Sequence, residues 1–345
     1  MSKRIQKIEQ LDALRAIAAF CVIFYHFLPE YKIGNFYYGW IGVDLFFVIS
    51  GYLITAILLE QKDVINNKLL IIKNFIIKRA LRLFPTYYIL ITFFLLLMIL
   101  FNLYVWDKGD SIYYYTYTQN ILFFKEDMKG IQLQHLWTLA VEEQFYLVWP
   151  WIVIYIGNPN LIRLLLIIIP ATLIFKSFSH IEHIRMLTPY HFDTLGTGAL
   201  VALLVKQKKD YYLIAFNRLK TVLILLSLGT LTASLFYKLP SLATYSAIVV
   251  LSTSFLVDCF YNFKGILGTA LNNPMLTYLG KISYGLYLFH KPIPYFVNMI
   301  IKKTGFHINA YFLLILSLFA TVLIAHVSFK LIEKRFLSLK VKYDL

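Results

Sequence analysis

The chain has 345 residues, 59% of them hydrophobic and only 15% charged, with 33 Lys and Arg against 18 Asp and Glu for a net charge of +15. A soluble domain is about half apolar and about 25% charged, and here the apolar excess collects in runs near 20 residues, the length that crosses a hydrocarbon core of about 30 Å. That excludes an ordinary water-soluble enzyme. The basic balance does not point to nucleic acid either, because the lysines and arginines sit in short links between apolar runs, the positive-inside pattern of a membrane protein.

Residues 1–10 are basic and lead into an apolar run that Arg15 and His26 interrupt. It has no small-residue cleavage site and does not read as a removed signal. The pattern predicts an all-α polytopic membrane protein with about ten spans, at 11–29, 38–60, 83–105, 137–157, 161–179, 190–205, 220–237, 242–260, 275–300 and 310–331. With the N-terminus inside, both termini are cytoplasmic. Lys62, Lys68, Lys73, Lys78, Arg79 and Arg82 then fall on that side, as do Lys206, Lys208, Lys209 and Arg218, and the tail residues Lys334, Arg335, Lys340 and Lys342. The largest outer loop, 106–136, sets its lysines against Asp107, Asp110, Glu126 and Asp127. Within it, 112–124 is aromatic-rich and reads as re-entrant or interfacial. Cys21 and Cys259 lie in apolar runs and give neither a disulfide framework nor a metal spacing. No inverted repeat of the transporter kind is visible.

Charge within a bilayer is costly, so each intramembrane ionisable residue is a candidate for function. Arg15 and His26 stand eleven positions apart in LDALRAIAAFCVIFYHF, about three turns, so they share a helix face roughly 16 Å apart along the axis. Taken singly, Arg15 also reads as a snorkelling anchor and His26 as a packing histidine. Asp44, in GWIGVDLFFVISGYLI, reads either as a partner for another helix or as a site residue. Gly42, Ser50 and Gly51 beside it permit close helix contact. Arg79 and Arg82, in KRALRLFP, share a face if helical, and their fork geometry suits phosphate. They equally fit plain positive-inside charge, and Pro85 after them suits the first turn of the next span. Glu142 and Glu143, in HLWTLAVEEQFYLVWPW, face different ways, so one is expected to line a cavity; acids near a helix start are also ordinary dipole partners. The span LGKISYGLYLFHKPIPYF carries Ser283, Tyr284, Tyr287 and His290, with Pro292 and Pro294 to break its ladder. A broken span is tolerated where it borders protein or water, which makes it a candidate cavity wall or a plain kink.

In their order these segments, together with HFDTLGTGAL, resemble the acyltransferase 3 family of membrane-bound acyltransferases over nearly the whole chain. The resemblance implies that Arg15 and His26 are the essential pair of the first helix. It implies that Arg79 and Arg82 form a cytoplasmic basic motif serving acyl-CoA, and that Glu142 and Glu143 form an acidic motif. Ala13 stands where relatives often have Gly. Some members carry an extracytoplasmic hydrolase-like domain; this chain is expected to be one membrane domain over 1–345 without one.

The expected activity is transfer of an acyl group, most simply acetyl, from cytoplasmic acetyl-CoA or another acyl-CoA to a hydroxyl of a surface or lipid-linked saccharide. The protein would lie in the cell's inner membrane. The bilayer, the saccharide and glycan-assembly proteins are its expected partners, and neither nucleic acid nor metal is expected. His26 would serve as general base or form a transient acyl-histidine. Glu142 or Glu143 would orient it or hold the acceptor, and Arg15 would stabilise the site or guide the donor. Asp44, Ser283, Tyr284 and His290 are further cavity candidates. A glycan flippase and a non-catalytic scaffold are the rival readings. A flippase has no need of a CoA site, and a scaffold has no need of the shared Arg15–His26 face.

Overall fold

Within a hydrocarbon layer no water satisfies the backbone, so each apolar run must close its own hydrogen bonds, which a helix does segment by segment. The computed structural model describes residues 8–34, 37–101, 105–126, 132–207, 210–260, 263, 265–305 and 308–343, and every regular element among them is helical. Most of 1–10, together with Asp127, Lys208 and Lys209, lies outside the described residues.

In chain order the helices are α1 Glu9–Glu30, α2 Ile41–Val64, α3 Lys68–Phe101, the short α4 Ser111–Tyr115 and α5 Gln119–Lys125, then α6 Trp137–Tyr155, α7 Asn158–Phe178, α8 Phe192–Lys206, α9 Asp210–Phe236 and α10 Ser241–Phe260. There follow α11 Gly265–Leu271, α12 Pro274–Lys281, α13 Ser283–Phe289, α14 Pro292–Thr304, α15 Ala310–Ser328, a π-helical turn Phe329–Glu333, and α16 Lys334–Ser338.

Among the described residues seven stretches are long and apolar enough to cross a membrane: α1, α2, α3, α7, Ile214–Phe236 within α9, α10, and Ala310–Tyr343 starting at α15. The other expected spans, 137–157, 190–205 and 275–300, fall on α6, on the 15-residue α8, and on the α12–α14 series. These three are not among the seven.

α2 lies at the centre, against α1, α6, α8 and α10, while α1 packs on α12 and α13. The outer helices turn apolar side chains outward: Leu225 and Leu226 on α9, Ile167 and Phe175 on α7, Ile315 and Phe319 on α15. This is the dress of lipid-facing helices, which need no polar outer face. Close approach depends on glycine at several contacts, two of which bear on the site. A Cβ on Gly51 would lie 2.0 Å from the Leu195 carbonyl oxygen of α8, and one on Gly280 would lie 1.7 Å from that of Asp12.

Two expectations need correction. The KRALRLFP segment is not a loop before a span; it lies inside the single 34-residue α3. At 1.5 Å per residue α3 is about 51 Å long, so its first half has room to lie beyond the apolar core of about 30 Å. Pro85 is therefore a mid-helix proline rather than a first-turn one, and it forfeits its own bond to the Leu81 carbonyl. The 275–300 run is likewise not one helix. It breaks at Ile282 and again at His290–Lys291, directly before Pro292. The aromatic stretch 112–124 folds as α4 and α5 onto the bundle, where the Tyr87 hydroxyl donates to the Tyr114 carbonyl at 2.8 Å and the Tyr88 hydroxyl to that of Tyr115 at 3.0 Å.

Candidate active site

Two cavities open along the inner face of α1, one at each end of the Arg15–His26 interval. The first is small, about 50 Å³, and gathers Arg15, Arg79, Arg82, Glu142, Ser283 and Tyr284. Four separate parts of the chain, α1, α3, α6 and α13, supply these side chains. The Arg15 Nε donates to the Ser283 hydroxyl at 3.3 Å, and the Ser50 hydroxyl donates to Glu142 at 2.7 Å. Arg79 lies over the rings of Phe75 and Tyr146, 5.4 and 5.5 Å from their centroids. Three guanidinium groups thus share a chamber with the single carboxylate of Glu142. Such an excess of planar donors suits an anion with several oxygens, phosphate above all.

The second cavity is larger, about 480 Å³, and is lined by His26, Asp44, His135, Lys176, Trp137 and Tyr245 among others. Lys176 is buried and reaches both carboxylate oxygens of Asp193, at 2.9 and 2.8 Å. Its ammonium also lies over Tyr190 and Tyr245, 4.7 and 5.2 Å from the ring centres. Asp44, 6% exposed, stands within electrostatic reach of that pair. Aromatic faces, a paired ammonium and an imidazole in a cavity of this size make a polar pocket suited to a hydroxyl-bearing ligand.

A thin wall divides the two spaces. Val43, Thr138 and Tyr287 line both. The Thr138 and Tyr287 hydroxyls lie 2.6 Å apart and each is 3.1 Å from the His135 carbonyl oxygen, so one hydroxyl donates to the other and the second donates to the carbonyl.

Behind His26 lies a histidine cluster that follows from the broken span. Pro292 has no amide hydrogen to offer the Leu288 carbonyl four residues earlier, and the His135 Nε2 donates to that carbonyl instead, at 3.1 Å. His135, in the turn before α6, is held well below the ordinary imidazole range, first by burial and then by Lys291 and His26 nearby. It is therefore neutral, and among the described residues its Nδ1 has no partner. His290 is wholly buried, with its ring centroid 4.6 Å from that of His135 and 5.0 Å from that of His26. Among the described residues no group of three or more His, Cys, Asp or Glu is arranged to hold a metal.

The residues singled out from sequence therefore sort into two sets. Arg15, Arg79, Arg82, Glu142, Ser283 and Tyr284 come together in the small chamber, and His26 and Asp44 line the large cavity. Glu142 meets arginine and serine rather than His26, whose ring partner is His290. Glu143 points to a separate space of about 140 Å³ beside Arg79, Tyr88 and Tyr117, so both glutamates face cavities, though different ones. Sequence reasoning passed over Lys176, Asp193, His135 and Glu333. The rule on intramembrane charge, applied to 161–179, would have found Lys176. Glu333 is 3% exposed, and its Oε1 has no hydrogen-bond partner among the described residues. It lies within electrostatic reach of Arg82 and Arg15.

Comparison with known proteins bears on what two such cavities are for. The peptidoglycan O-acetyltransferase OatA of Listeria monocytogenes is 31% identical over 358 residues, covering 94% of this chain and 55% of that protein. The O-acetyltransferase OatA of Staphylococcus aureus is 28% identical over 355 residues, covering 94% of this chain and 56% of that protein. The chain thus spans a little over half the length of the curated relatives it matches. No solved structure matches it significantly. The family profile described as an acyltransferase domain, Acyl_transf_3, matches residues 8–328, a stretch that takes in both cavities and the wall between them, and the chain belongs to this acyltransferase 3 family.

Proposed function

We propose that the protein O-acetylates a cell-envelope saccharide, taking the acyl group from acetyl-CoA on the cytoplasmic side and delivering it to a sugar hydroxyl on the other. The observation that carries this reading is the pair of cavities sharing one wall, arginine-rich on one side and histidine-bearing on the other. Arg79, Arg82 and Arg15 take the phosphates of the donor, with Glu142 offsetting part of the chamber's positive charge. The pantetheine arm reaches toward Thr138 and Tyr287. The acceptor sits in the larger cavity, where Trp137 and Tyr245 offer flat faces for a sugar ring and His26 takes the proton of the attacking hydroxyl. The hydroxyl oxygen bonds to the thioester carbon, the carbon–sulfur bond breaks, and the proton passes to the departing thiolate, giving the ester and free CoA. Peptidoglycan, the glycan in the name of the Listeria relative, is the acceptor class to try first.

Ten spans with both termini cytoplasmic fit this arrangement, because Arg79 and Arg82 then stand on the side where acyl-CoA is made. The test is transfer by the purified protein in lipid nanodiscs from radiolabelled acetyl-CoA to peptidoglycan fragments and lipid-linked saccharides. Label in the saccharide with equivalent release of CoA is expected. Movement of the glycan across a proteoliposome membrane with no CoA released would replace this reading with the flippase.

A further inference from the structure

The hydrogen bonds around His290 determine where the proton of His26 sits. The Nδ1 of His290 lies 2.6 Å from the Tyr287 carbonyl oxygen. A carbonyl oxygen can only accept, so this nitrogen carries hydrogen. His290 is wholly buried and among the described residues has no carboxylate in hydrogen-bond contact, and an unpaired charge there would be costly; the ring is neutral, with one hydrogen only. Its Nε2 therefore presents a lone pair, and that lone pair lies 3.1 Å from Nδ1 of His26. Two lone pairs do not make a contact of this length, so the proton belongs to His26 Nδ1. Nε2 of His26 is left bare, on a ring that lines the larger cavity.

We propose that His290 is a positioning residue: it holds His26 in the Nδ1–H form, so that the Nε2 lone pair is the one available to the acceptor hydroxyl. This rests on the reading of His26 as general base. Only a nitrogen without hydrogen can take a proton, so the opposite tautomer would be inert toward a hydroxyl at Nε2. When Nε2 does take the proton, the resulting imidazolium keeps its Nδ1–H bond to His290, which spreads the new charge over a second ring. The broken span supplies the geometry, since the break falls at His290–Lys291.

Two substitutions separate this role from mere packing. His290→Asn keeps a donor near the Tyr287 carbonyl but is too short to reach His26. His290→Gln reaches His26 with an amide oxygen that can accept from Nδ1–H. Asn should lower kcat about 100-fold or more, with both KM values unchanged, and Gln should recover to within roughly tenfold of the native protein. Nitrogen-15 NMR of histidine-labelled native protein should show His26 with Nδ1 protonated and Nε2 bare. Equal loss in Asn and Gln, undiminished kcat in Asn, a change confined to KM, or a proton on His26 Nε2 would each overturn the proposal. Should both variants fold poorly, the spectrum of the native protein still decides. Full turnover by His26→Ala would remove the base reading itself while leaving the measured tautomer in place.

Discussion

A guanidinium offers phosphate a planar fork of donors, whereas an ammonium offers a point charge, and this contrast tests the small chamber residue by residue. A charge-assisted contact of this kind is worth about 1.5–3 kcal/mol, so Arg79→Ala and Arg82→Ala should each raise the acetyl-CoA KM roughly ten- to a hundredfold. The acceptor KM should hold, and lysine at either position should rescue only in part. Calorimetric titration of the purified variants with CoA checks this, and unchanged affinity in both alanine variants would dismiss the donor site. His26→Ala, by contrast, should abolish transfer while the protein inserts and accumulates normally, as read by product formation per mole of purified enzyme. Arg15 and His26 were legible because eleven positions place two costly side chains on one face. Glu333 was not. It stands beside Lys334 and Arg335, where a carboxylate reads as an ordinary solvated ion-pair partner, whereas the structure buries it at the end of a π-helical turn.

Among the elements, the positions of the apolar runs were readable, because hydrophobic length alone sets them. Their internal breaks and continuations were not. α3 runs unbroken through Pro85, where proline chemistry favours a start, while the 275–300 run divides at Ile282 as well as beside its prolines. Both outcomes depend on neighbours rather than on local preference. α12 is held so near α1 that Gly280 meets the Asp12 carbonyl, and the Tyr284 hydroxyl of α13 donates to the Leu83 carbonyl of α3 at 2.8 Å. Gly280→Ala should consequently cost about 3 kcal/mol or more by overpacking, since neither backbone can yield without disturbing Arg15 one turn on. A lowered Tm in detergent and a reduced yield of monodisperse protein are the expected results. A variant of native Tm would show that the α1–α12 contact is looser than the geometry requires.

At the scale of the whole molecule, orientation decides which compartment each cavity serves. The basic residues at the end of α2, in the first half of α3 and in the tail should share a side with both termini. Lys342→Cys should therefore resist a membrane-impermeant thiol reagent added to intact cells and react after permeabilisation. Labelling from outside would reverse the topology and move the arginine chamber away from the pool of acyl-CoA. The sequence placed Arg15 and His26 about three turns apart on one helix face, but it held no sign of how near the spaces around them come. Nothing in residue order announces that Val43, Thr138 and Tyr287 from three different elements meet in one wall.

That wall has an electrical consequence. Where water-filled recesses enter from both faces, each stays near the potential of its own bulk phase, and the voltage across the membrane falls mainly over whatever separates them. In the proposed arrangement the insulator would be the side chains that line both cavities, the Thr138–Tyr287 hydroxyl pair among them. An elementary charge crossing the full potential exchanges about 2.3 kcal/mol per 100 mV, and in this protein most of that work would be concentrated in a few ångströms. A neutral acyl group traverses such a field without electrical work, whereas the phosphates of its carrier would meet all of it. On the proposed reading, the partition would thus also act as a filter by charge, passing the group to be delivered and retaining the anionic carrier on the side from which it came.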